Sequence, residues 1–371
     1  MTTITLESNI EKSARVAQAC GLFDMQPTHG SRVEIKADLP LAENDWQVGL
    51  IVGPSGAGKS SVAREVFGGR LVDGFDWPAN RSILDGFDAE LGIKDVVGAL
   101  NGVGLSSAPS WLRPFHVLSN GEQFRATLAR ALAEADGELV VMDEFSSVVD
   151  RQVAQFASHA VQKHVRRSSG RFVAVTCHYD VVDWLQPDWV YQPHTGEFTW
   201  RCLQPGQRRP PVAVEIRRAK RSAWSLFSHH HYLSESIHTA AECYVAMLAG
   251  TDQPVAFTSW RVQPHPKRKN IKIGHRLVVL PDYQGIGLGG VLDDWAGEYL
   301  ADLGYVYHNV VSHPAMIAHY SRSPRWKLVG RNSMVVGPRG VVHQQKSVRR
   351  ITQFSFEYVR PPRKTDTEVH P

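Results

Sequence analysis

The feature that most constrains this chain is an eight-residue run, Gly53-Pro54-Ser55-Gly56-Ala57-Gly58-Lys59-Ser60, between an apolar segment and a helical one. The apolar segment covers residues 46–53, and a helical pattern follows over residues 60–67. Glycines let successive backbone N–H groups turn inward around a phosphate, and the helix N-terminus adds the positive end of a dipole. The run therefore predicts a strand–loop–helix unit that binds phosphate groups.

The same run fits the P-loop pattern G-x-x-x-x-G-K-S/T in full, in the strand-to-helix context that this pattern requires. Lys59 is expected to reach the β- and γ-phosphates of a nucleotide, and the Ser60 hydroxyl is expected to ligate Mg²⁺. Ser61, in the first turn of the helix, completes the predicted nucleotide site. The predicted ligands are therefore ATP and Mg²⁺.

A second acidic element follows a short apolar run at residues 138–142, which ends in Asp143-Glu144. Asp143 is expected to hold Mg²⁺, directly or through water, while Glu144 orients and deprotonates the attacking water. This pattern alone has little specificity, because apolar strands often end in acids. The pattern is informative here because it follows the P-loop in the sequence.

A third element, Leu118-Ser119-Asn120-Gly121-Glu122-Gln123, opens a helical pattern over residues 121–135. With it, the first half of the chain resembles the ABC ATPase family, whose signature reads Leu-Ser-Gly-Gly-Gln. Ser119 and Gly121 match the signature, whereas Asn120 and Glu122 differ from it. The resemblance implies that Ser119, Gly121 and Glu122 contact the γ-phosphate of ATP held by an opposite subunit, and hence an ATP-dependent homodimer.

The resemblance extends to two further positions. The run Ser147-Val148-Val149-Asp150 stands where the family has its D-loop, and His178, after an apolar run at 172–176, stands where the family's switch histidine contacts the γ-phosphate. A purely structural histidine is the alternative. Phe23 is the candidate for stacking on adenine, with a place in the core as the alternative.

The interval between the P-loop and the signature differs from the family pattern. No glutamine lies between Lys59 and Leu118, so the family's Q-loop residue is missing, and Asp85 is the candidate replacement. The interval is short and leaves room only for a small helical subdomain. After the histidine, residues 189–192 are a candidate edge strand.

The second half of the chain begins after a Pro-, Gly- and Arg-rich stretch at residues 204–211. We predict an ATPase domain over 1–203, a linker over 204–211, a second domain over 212–360 and a disordered tail over 361–371. In the second domain, helices are predicted at 234–249 and 288–303, and strands at 254–262 and 275–280.

A second glycine-rich turn follows the strand that ends at Leu280. Its residues are Gln284, Gly285, Ile286, Gly287, Leu288, Gly289 and Gly290. Exposed N–H groups of residues 286–290 at a helix N-terminus suit a pyrophosphate. A second nucleotide pocket and a plain helix cap are the alternatives.

The strand and turn resemble the Q/R-x-x-G-x-G/A motif of the GNAT N-acetyltransferase superfamily, which implies a site for acetyl-CoA. Tyr320 stands where many of these enzymes have a tyrosine that protonates the leaving thiolate of CoA; a core tyrosine is the alternative. The motif does not identify a general base, and His275 is the candidate. The run His229-His230-His231 is not expected to bind a metal, because adjacent residues do not share a face.

The predicted fold class is thus α/β, a P-loop ABC ATPase domain with a parallel sheet and small helical subdomain, followed by an α+β GNAT-like domain. This domain order resembles archaeal and phage proteins in which an ABC ATPase is fused to a predicted acetyltransferase. The GNAT half faintly resembles phage DNA-modification proteins of the Mom type. The predicted function is an ATPase coupled to an acyltransferase or nucleic-acid-modifying domain. One alternative is an ATPase switch with a non-catalytic GNAT-like binding module, and another is the ATPase subunit of a transporter.

Composition adds three expectations. The net charge is only +4, but basic residues cluster in the second half of the chain. Such clusters suit a DNA or tRNA acceptor, and a solvated face is the alternative. The clusters are 208–209, 217–221, 267–269 and 349–350. The four cysteines form no C-x-x-C pair, which favours a reducing, cytoplasmic setting. No apolar run approaches the roughly 18–20 residues that cross a bilayer, so a soluble protein is expected.

Overall fold

The computed structural model describes residues 2–9, 13–23, 30–72, 74–201, 213–231, 236–266, 268–336 and 349–360. The chain divides into two compact units: unit 1 comprises Met1–Gly104 and Leu112–Pro210, and unit 2 comprises Leu105–Trp111 and Pro211–Pro371. The predicted linker at 204–211 and tail at 361–371 lie outside the described residues. The predicted domain boundaries therefore stay predictions.

The strands and helices are numbered in chain order. The strands are β1 Thr2–Asn9, β2 Gly30–Ala37, β3 Val48–Val52, β4 Leu71–Val72, β5 Leu139–Met142, β6 Arg171–Thr176, β7 Trp189–Gln192, β8 Glu197–Trp200, β9 Val214–Ala219, β10 Glu242–Leu248, β11 Pro254–Val262, β12 Ile271–Val279, β13 Val306–Val311, β14 Trp326–Val336 and β15 Arg349–Tyr358. The α-helices are α1 Ala14–Leu22, α2 Lys59–Phe67, α3 Ile93–Gly102, α4 Ala108–Trp111, α5 Asn120–Glu134, α6 Arg151–Val165, α7 Val181–Leu185, α8 Leu288–Asp302 and α9 Pro314–Arg322.

Unit 1 is built on a six-stranded sheet of order β4-β5-β6-β3-β7-β8. The pairs from β4 to β7 are parallel, and β8 pairs antiparallel with β7. All five residues of β3 are buried, as expected for a strand covered on both faces. A separate two-stranded antiparallel sheet joins β1 and β2. Unit 1 therefore places β3, the strand before the first glycine-rich loop, between two parallel neighbours, β6 and β7.

Unit 2 is built on a seven-stranded sheet of order β14-β15-β13-β12-β11-β10-β9. The pair β12 and β13 is parallel, and the other pairs are antiparallel. Two apolar clusters involve the strands of this sheet. One contains Trp260 with Leu300 of α8 and Tyr320 of α9, and the other contains Phe257 with Trp224 and Phe227. Because Phe257 and Trp260 are an odd number of residues apart on β11, the two clusters lie on opposite faces.

Two secondary-structure predictions are wrong. Residues 234–249 do not form a helix in their described part, 236–249, because Glu242–Leu248 is strand β10. Its Cys-Tyr-Val-Ala-Met core suits a buried strand that pairs on both edges, and this pairing outweighs helix propensity. Strand β7 is not an edge strand, because it lies between β3 and β8.

Candidate functional sites

The P-loop of unit 1 connects β3 to α2 and owes its shape to two glycines. Gly56 and Gly58 both have a φ of 78°, in the left-handed region that side chains rarely adopt. Gly58 is also the N-cap of α2, so the first turn of that helix begins directly at the loop. Lys59 folds back over the loop and donates a hydrogen bond from Nζ to the carbonyl oxygen of Pro54, at 2.9 Å. The loop thus has the backbone that a phosphate cradle requires.

The acidic pair and His178 lie at the same sheet edge as the P-loop. In the parallel ladder, Val52 of β3 pairs with Thr176 of β6, and Met142 of β5 pairs with Ala174. Because parallel strands end at one edge, the segments after β3, β5 and β6 leave the sheet side by side. They carry the P-loop, the pair Asp143-Glu144, and His178, respectively.

The turn after β5 has a strained backbone. Glu144 has a φ of 50° and Ser146 a φ of 69°, both positive in residues other than glycine. The turn is held by the backbone N–H of Glu144, which donates to Asp143 Oδ1 at 2.9 Å, and by the N–H of Phe145, which donates to the Val175 carbonyl at 2.8 Å. Such conformations persist when the surroundings enforce them, and they cluster at functional sites. Glu144 is exposed, so its carboxylate is accessible.

The signature segment forms the start of α5 through a capping box. Ser119 is the N-cap: its hydroxyl accepts from the Glu122 N–H, and the Glu122 side chain accepts from the Ser119 N–H at 3.0 Å. Glu122 therefore has a capping role that explains a carboxylate at this position. Ser119 and Asn120 are exposed, whereas Gly121 is buried. The helix start remains accessible to an anion.

The predicted D-loop leads into α6. Asp150 is its N-cap and accepts from the N–H groups of Gln152 and Val153 at 3.0 and 2.9 Å. The next residue, Arg151, forms an ion pair with Asp180, two residues after His178. The segments that carry Asp150 and His178 are therefore joined by a charged contact.

Two weaker candidates of unit 1 lie on the surface. Phe23 is 74% exposed at the end of α1, which excludes the alternative of a core residue in this unit. Asp85 is exposed and accepts a hydrogen bond from the Ser82 hydroxyl at 2.8 Å. Whether either residue contacts a nucleotide stays a prediction.

The glycine-rich turn of unit 2 connects β12 to α8. Gly285 and Gly287 have φ values of 85° and 96°, and Gly287 is the N-cap of α8. Two hydrogen bonds within unit 2 fix the side chain of Gln284. Its Nε2 donates to the Val279 carbonyl at 2.8 Å, and its Oε1 accepts from the Ser106 N–H at 2.6 Å. Gly287 is exposed, which leaves this helix start open to an anion.

The remaining residues of the turn allow close packing. Leu280 directly follows β12 and donates from its N–H to the Val255 carbonyl at 3.0 Å. A Cβ atom on Gly290 would lie 2.7 Å from the His319 ring, so only glycine fits there. A Cβ atom on Gly289 would be in ordinary contact with Val279, at 3.6 Å. Ile286 is half-buried and Leu288 is buried.

Next to this turn, β12 and β13 separate. They pair only from Ile271–Ile273 to Val306–His308, after which β13 pairs with β15. Among the described strands, residues 274–279 of β12 pair only with β11, so one edge of this segment faces a gap between strands. We call this gap the fork. The carbonyl oxygens of His275 and Val279 accept hydrogen bonds from the side chains of Arg276 and Gln284. Other backbone groups along this edge can hydrogen-bond an extended ligand that carries amides.

Tyr320 is buried beside the fork in a polar network. Its hydroxyl donates to Asp293 of α8 and accepts from Nδ2 of Asn309 at 2.9 Å. Burial raises the pKa of Tyr320 well above its usual range, and the neighbouring Asp293 raises it further. Burial also raises the pKa of Asp293, to about 6. The Tyr320 proton is thus engaged by a carboxylate within the fold.

A second carboxylate follows on α8. Asp294 Oδ1 is 3.1 Å from Nε2 of His319 and accepts from the Trp326 indole N–H at 2.6 Å. Burial would raise the pKa of Asp294, but the hydrogen bonds from His319 and Trp326 outweigh it and lower that pKa. Through these two contacts, Asp294 connects α8 to His319 of α9 and to Trp326 of β14.

His275 is poorly suited to the role of general base. Its Nε2 accepts the backbone N–H of His238 at 3.0 Å, so that lone pair is occupied. Burial and the nearby charges of Arg276 and Arg261 lower its pKa to about 4, which keeps it neutral and weakly basic near pH 7. Its neighbour Arg276 donates to the Ser236 carbonyl at 2.9 Å. Together they hold the segment after residue 235 against β12.

The histidine run and the basic clusters both stay predictions. No group of three or more His, Cys, Asp or Glu able to hold a metal occurs among the described residues. Arg217 forms ion pairs with Glu215 and Asp252, so part of that cluster is already neutralised. Residues 208–209 and Lys267 lie outside the described residues. The basic clusters therefore remain a hypothesis.

Sequence reasoning missed the polar residues around Tyr320. Asp293 lies within the pattern of α8 and Asn309 within an apolar strand, so neither shows a motif of its own. The only signal is a polar residue at a position where the pattern predicts burial. His194, whose Nδ1 would be 3.0 Å from a Cβ on Gly53, was missed as well and has no local signal.

Taken together, unit 1 is a mixed α/β fold with a glycine-rich loop and an acidic pair at one sheet edge. Unit 2 is a mixed sheet with a glycine-rich helix start beside a strand fork. No helix among the described residues is long and apolar enough to cross a membrane.

No protein-family model matches the chain, and no curated protein matches it. Solved structures similar to parts of it include both ABC proteins and GNAT-family acetyltransferases. An ATP-bound bacterial Atm1-family ABC exporter is 18% identical over 45% of this chain and 34% of its own, with a TM-score of 0.33. A dimeric bacterial ABC transporter cassette is 15% identical over 46% and 89%, with a TM-score of 0.34.

An acetyltransferase of Bacillus subtilis in complex with CoA is 12% identical over 40% of this chain and 98% of its own, with a TM-score of 0.30. This chain spans about a third of the length of the exporter it matches. At such identities and scores these similarities assign no family, and the proposals below rest on the motifs and on the geometry of each unit.

Proposed function

We propose that unit 1 binds and hydrolyses ATP as an ABC-type ATPase. The observation that carries the proposal is the shared sheet edge, where the P-loop, Asp143-Glu144 and His178 leave neighbouring parallel strands. The Ser60 hydroxyl and the Asp143 carboxylate are hard oxygen ligands of the kind Mg²⁺ prefers, so these residues fit that ion. When bound, Mg²⁺ neutralises phosphate charge.

The chain's own residues then have separate tasks. Lys59 moves its ammonium from the Pro54 carbonyl to the phosphates, and backbone N–H groups of the loop hold the phosphate oxygens. Glu144 accepts a proton from the attacking water, so that the O–P bond forms as the bond to ADP breaks. His178 contacts the γ-phosphate. Phe23 is retained as the residue that stacks on adenine.

The exposed start of α5 supports a dimer that forms on ATP. Ser119 lies at a helix N-terminus and is exposed, a position from which it can contact the ATP of a second copy. Two chains paired head to tail would then enclose two ATP molecules. ATP binding would then be measurable as an increase in the mass of the particle from one chain to two.

The test of unit 1 is ATP turnover by the Glu144→Gln variant. This change removes the base and leaves the Asp143 carboxylate, so the variant should bind ATP and hydrolyse it at least about a hundredfold more slowly. Glu65→Gln, a change on an exposed face of α2, is the matched control and should leave turnover unchanged. ATP turnover at the wild-type rate by Glu144→Gln would refute the proposal that unit 1 is an ABC-type ATPase.

We further propose that unit 2 binds acetyl-CoA and transfers its acyl group. The observation that carries this proposal is the combination of an open glycine-rich helix start with the adjacent fork. The N–H groups of residues 286–290 suit the pyrophosphate, and the fork suits the amides of the pantetheine arm. An acceptor nitrogen attacks the thioester carbon and loses a proton to solvent as the C–N bond forms. The C–S bond breaks, and the thiolate takes a proton, for which Tyr320 is the candidate donor.

A second candidate function is a coenzyme-binding module without catalysis. The bond from the buried Tyr320 hydroxyl to Asp293 favours it, because that proton is not directed to a ligand. The occupied lone pair of His275 favours it too, since no other base is identified. Acetyl-CoA turnover measured with and without DNA or tRNA separates the two: release of CoA above the buffer rate supports the enzyme, and tight binding without release supports the module.

The acceptor that we propose for the enzyme is a nucleic acid. Arg268 and Lys269 lie on a surface loop between β11 and β12, where they can neutralise phosphates. Affinity for DNA or tRNA should then fall with salt, with a log–log slope of about −0.7 to −0.9 per neutralised phosphate. Replacing both residues by alanine should make the slope shallower by that amount for each phosphate that the two side chains neutralise. An unchanged slope would leave this loop as a solvated face and exclude it as the acceptor surface.

A further inference from the structure

A buried polar cluster lies next to the proposed coenzyme site, and only its Tyr320 has a role in the reaction described above. It consists of Asp293 on α8, Tyr307 and Asn309 on β13, and Tyr320 on α9, and we call it the brace. Asp293, Tyr307 and Tyr320 are each 1% exposed, and Asn309 is 8% exposed. Burying a carboxylate is costly, so its retention requires several hydrogen bonds.

Those hydrogen bonds join three separate elements. Asp293 accepts from the Tyr320 hydroxyl, from Asn309 Nδ2 at 2.9 Å and, more weakly, from the Tyr307 hydroxyl at 3.4 Å. Asn309 Nδ2 also donates to the Tyr320 oxygen at 2.9 Å. Helix α8, strand β13 and helix α9 are thereby fixed to one another by a single carboxylate.

The brace lies where the two parts of the proposed site meet. Asp293 is six residues after Gly287, the N-cap of α8, so it lies less than two turns from the glycine-rich helix start. Asn309 directly follows the last pair between β12 and β13, where the fork opens. A Cβ atom on Gly274, at the same position on β12, would collide with the Asn309 side chain. The brace therefore connects the pyrophosphate end of the site to the fork.

We infer that the brace is a positioning device, which holds α8 and β13 at the spacing that a ligand spanning both requires. The inference rests on the proposed function, namely that unit 2 binds coenzyme A. A site whose elements are held before binding loses less conformational entropy when the ligand arrives. Weakening the brace should therefore weaken a ligand that contacts both elements more than one that contacts α8 alone.

The test compares coenzyme A with its nucleotide half, adenosine 3′-phosphate 5′-diphosphate, by isothermal titration of the full chain. A Lys59→Ala background is used throughout, so that the P-loop of unit 1 does not contribute. Tyr320→Phe removes one hydroxyl from the brace and keeps the ring. Tyr358→Phe is the matched control, because the Tyr358 hydroxyl also donates to a carboxylate of α8, Glu298, at 2.6 Å.

The expected result is about tenfold weaker binding of coenzyme A to Tyr320→Phe, with less than about a twofold change for the nucleotide half. Tyr358→Phe should bind both ligands as the background does. If Tyr320→Phe does not fold, as judged by circular dichroism, Asn309→Leu provides the same comparison.

Each other outcome overturns a different statement. Equal weakening of both ligands would show a general loss of structure and would refute the brace. Unchanged affinity for coenzyme A in both Tyr320→Phe and Asn309→Leu would refute the brace and leave the proposed function standing. Failure of the Lys59→Ala background to bind coenzyme A would overturn the proposed function of unit 2, and the inference with it.

Discussion

Replacement of Asp293 by asparagine should change how the stability of unit 2 depends on pH. Asp293 is 1% exposed, and burial raises its pKa from 3.8 to about 6, although the hydrogen bond from Tyr320 and the charge of His319 act in the opposite direction. Tyr307 of β13 also faces this carboxyl group, and Asp294 is its neighbour on α8. The native carboxyl group therefore keeps its proton to a higher pH than the unfolded chain does.

The sign and size of the effect follow from that difference. Between pH 3.8 and about 6 the native state binds more protons than the unfolded state, so stability falls as the pH rises through this window. A shift of about two pKa units, at about 1.4 kcal/mol each, corresponds to about 3 kcal/mol. Roughly 2 kcal/mol of this falls between about pH 4.5 and 7.5. Asp293→Asn lacks the titration, so its stability relative to wild type should rise by that amount over the interval.

Hydrogen exchange measured by mass spectrometry on peptides from α8 provides the assay, because it reports the opening free energy of unit 2 within the full chain. Glu298→Gln on the same helix is the control. Bonds from Tyr358 and Arg360 lower the pKa of Glu298, so its stabilising contribution is lost only as the pH falls, and the variant should change little and in the opposite direction. A difference between Asp293→Asn and wild type that stays constant from about pH 4.5 to 7.5 would refute the reasoning.

Four further changes test individual elements. Lys59→Ala should abolish ATP binding measured by calorimetry, and wild-type affinity in this variant would contradict the P-loop role of the lysine. Gly58→Ala should lower the unfolding free energy of unit 1 by about 1–2 kcal/mol in urea, because φ is 78° there, and an unchanged midpoint would contradict that backbone. Gly287→Trp should fill the turn of unit 2 and abolish binding of coenzyme A while ATP binding is kept; loss of both would indicate misfolding. Glu144→Gln should form dimers with ATP and Mg²⁺ in light scattering, and a strict monomer at saturation would exclude ATP-dependent pairing.

Some elements were predictable because local rules determine them. The P-loop has glycines at both positions that adopt a φ of 78°, and a buried apolar strand precedes it. The apolar run at residues 172–176 lies within β6, since a short apolar run with β-branched residues suits a covered parallel strand. At such positions propensity, burial and turn chemistry all favour one structure.

Other elements depend on partners distant in sequence. Residues 242–248 form a strand because β9 pairs with one edge of the segment and β11 with the other. The sequence of the segment alone does not identify these partners. The brace has the same origin. Asp293 and Tyr320 are far apart in sequence and meet only after α8 and α9 pack together.

The two glycine-rich turns have nearly the same backbone and differ in their charge. Gly58 and Gly287 are both N-caps in the left-handed region, with φ and ψ of 78° and 16° in one and 96° and 12° in the other. The next residue is Lys59 in unit 1 but the buried Leu288 in unit 2. A turn that ends in a lysine adds a full charge for a triphosphate, whereas a turn that ends in a leucine offers only N–H groups and the helix dipole. For the coenzyme that we propose for unit 2, the second turn therefore needs another source of affinity. The adjacent fork is a feature that can supply it, through backbone hydrogen bonds to an extended ligand.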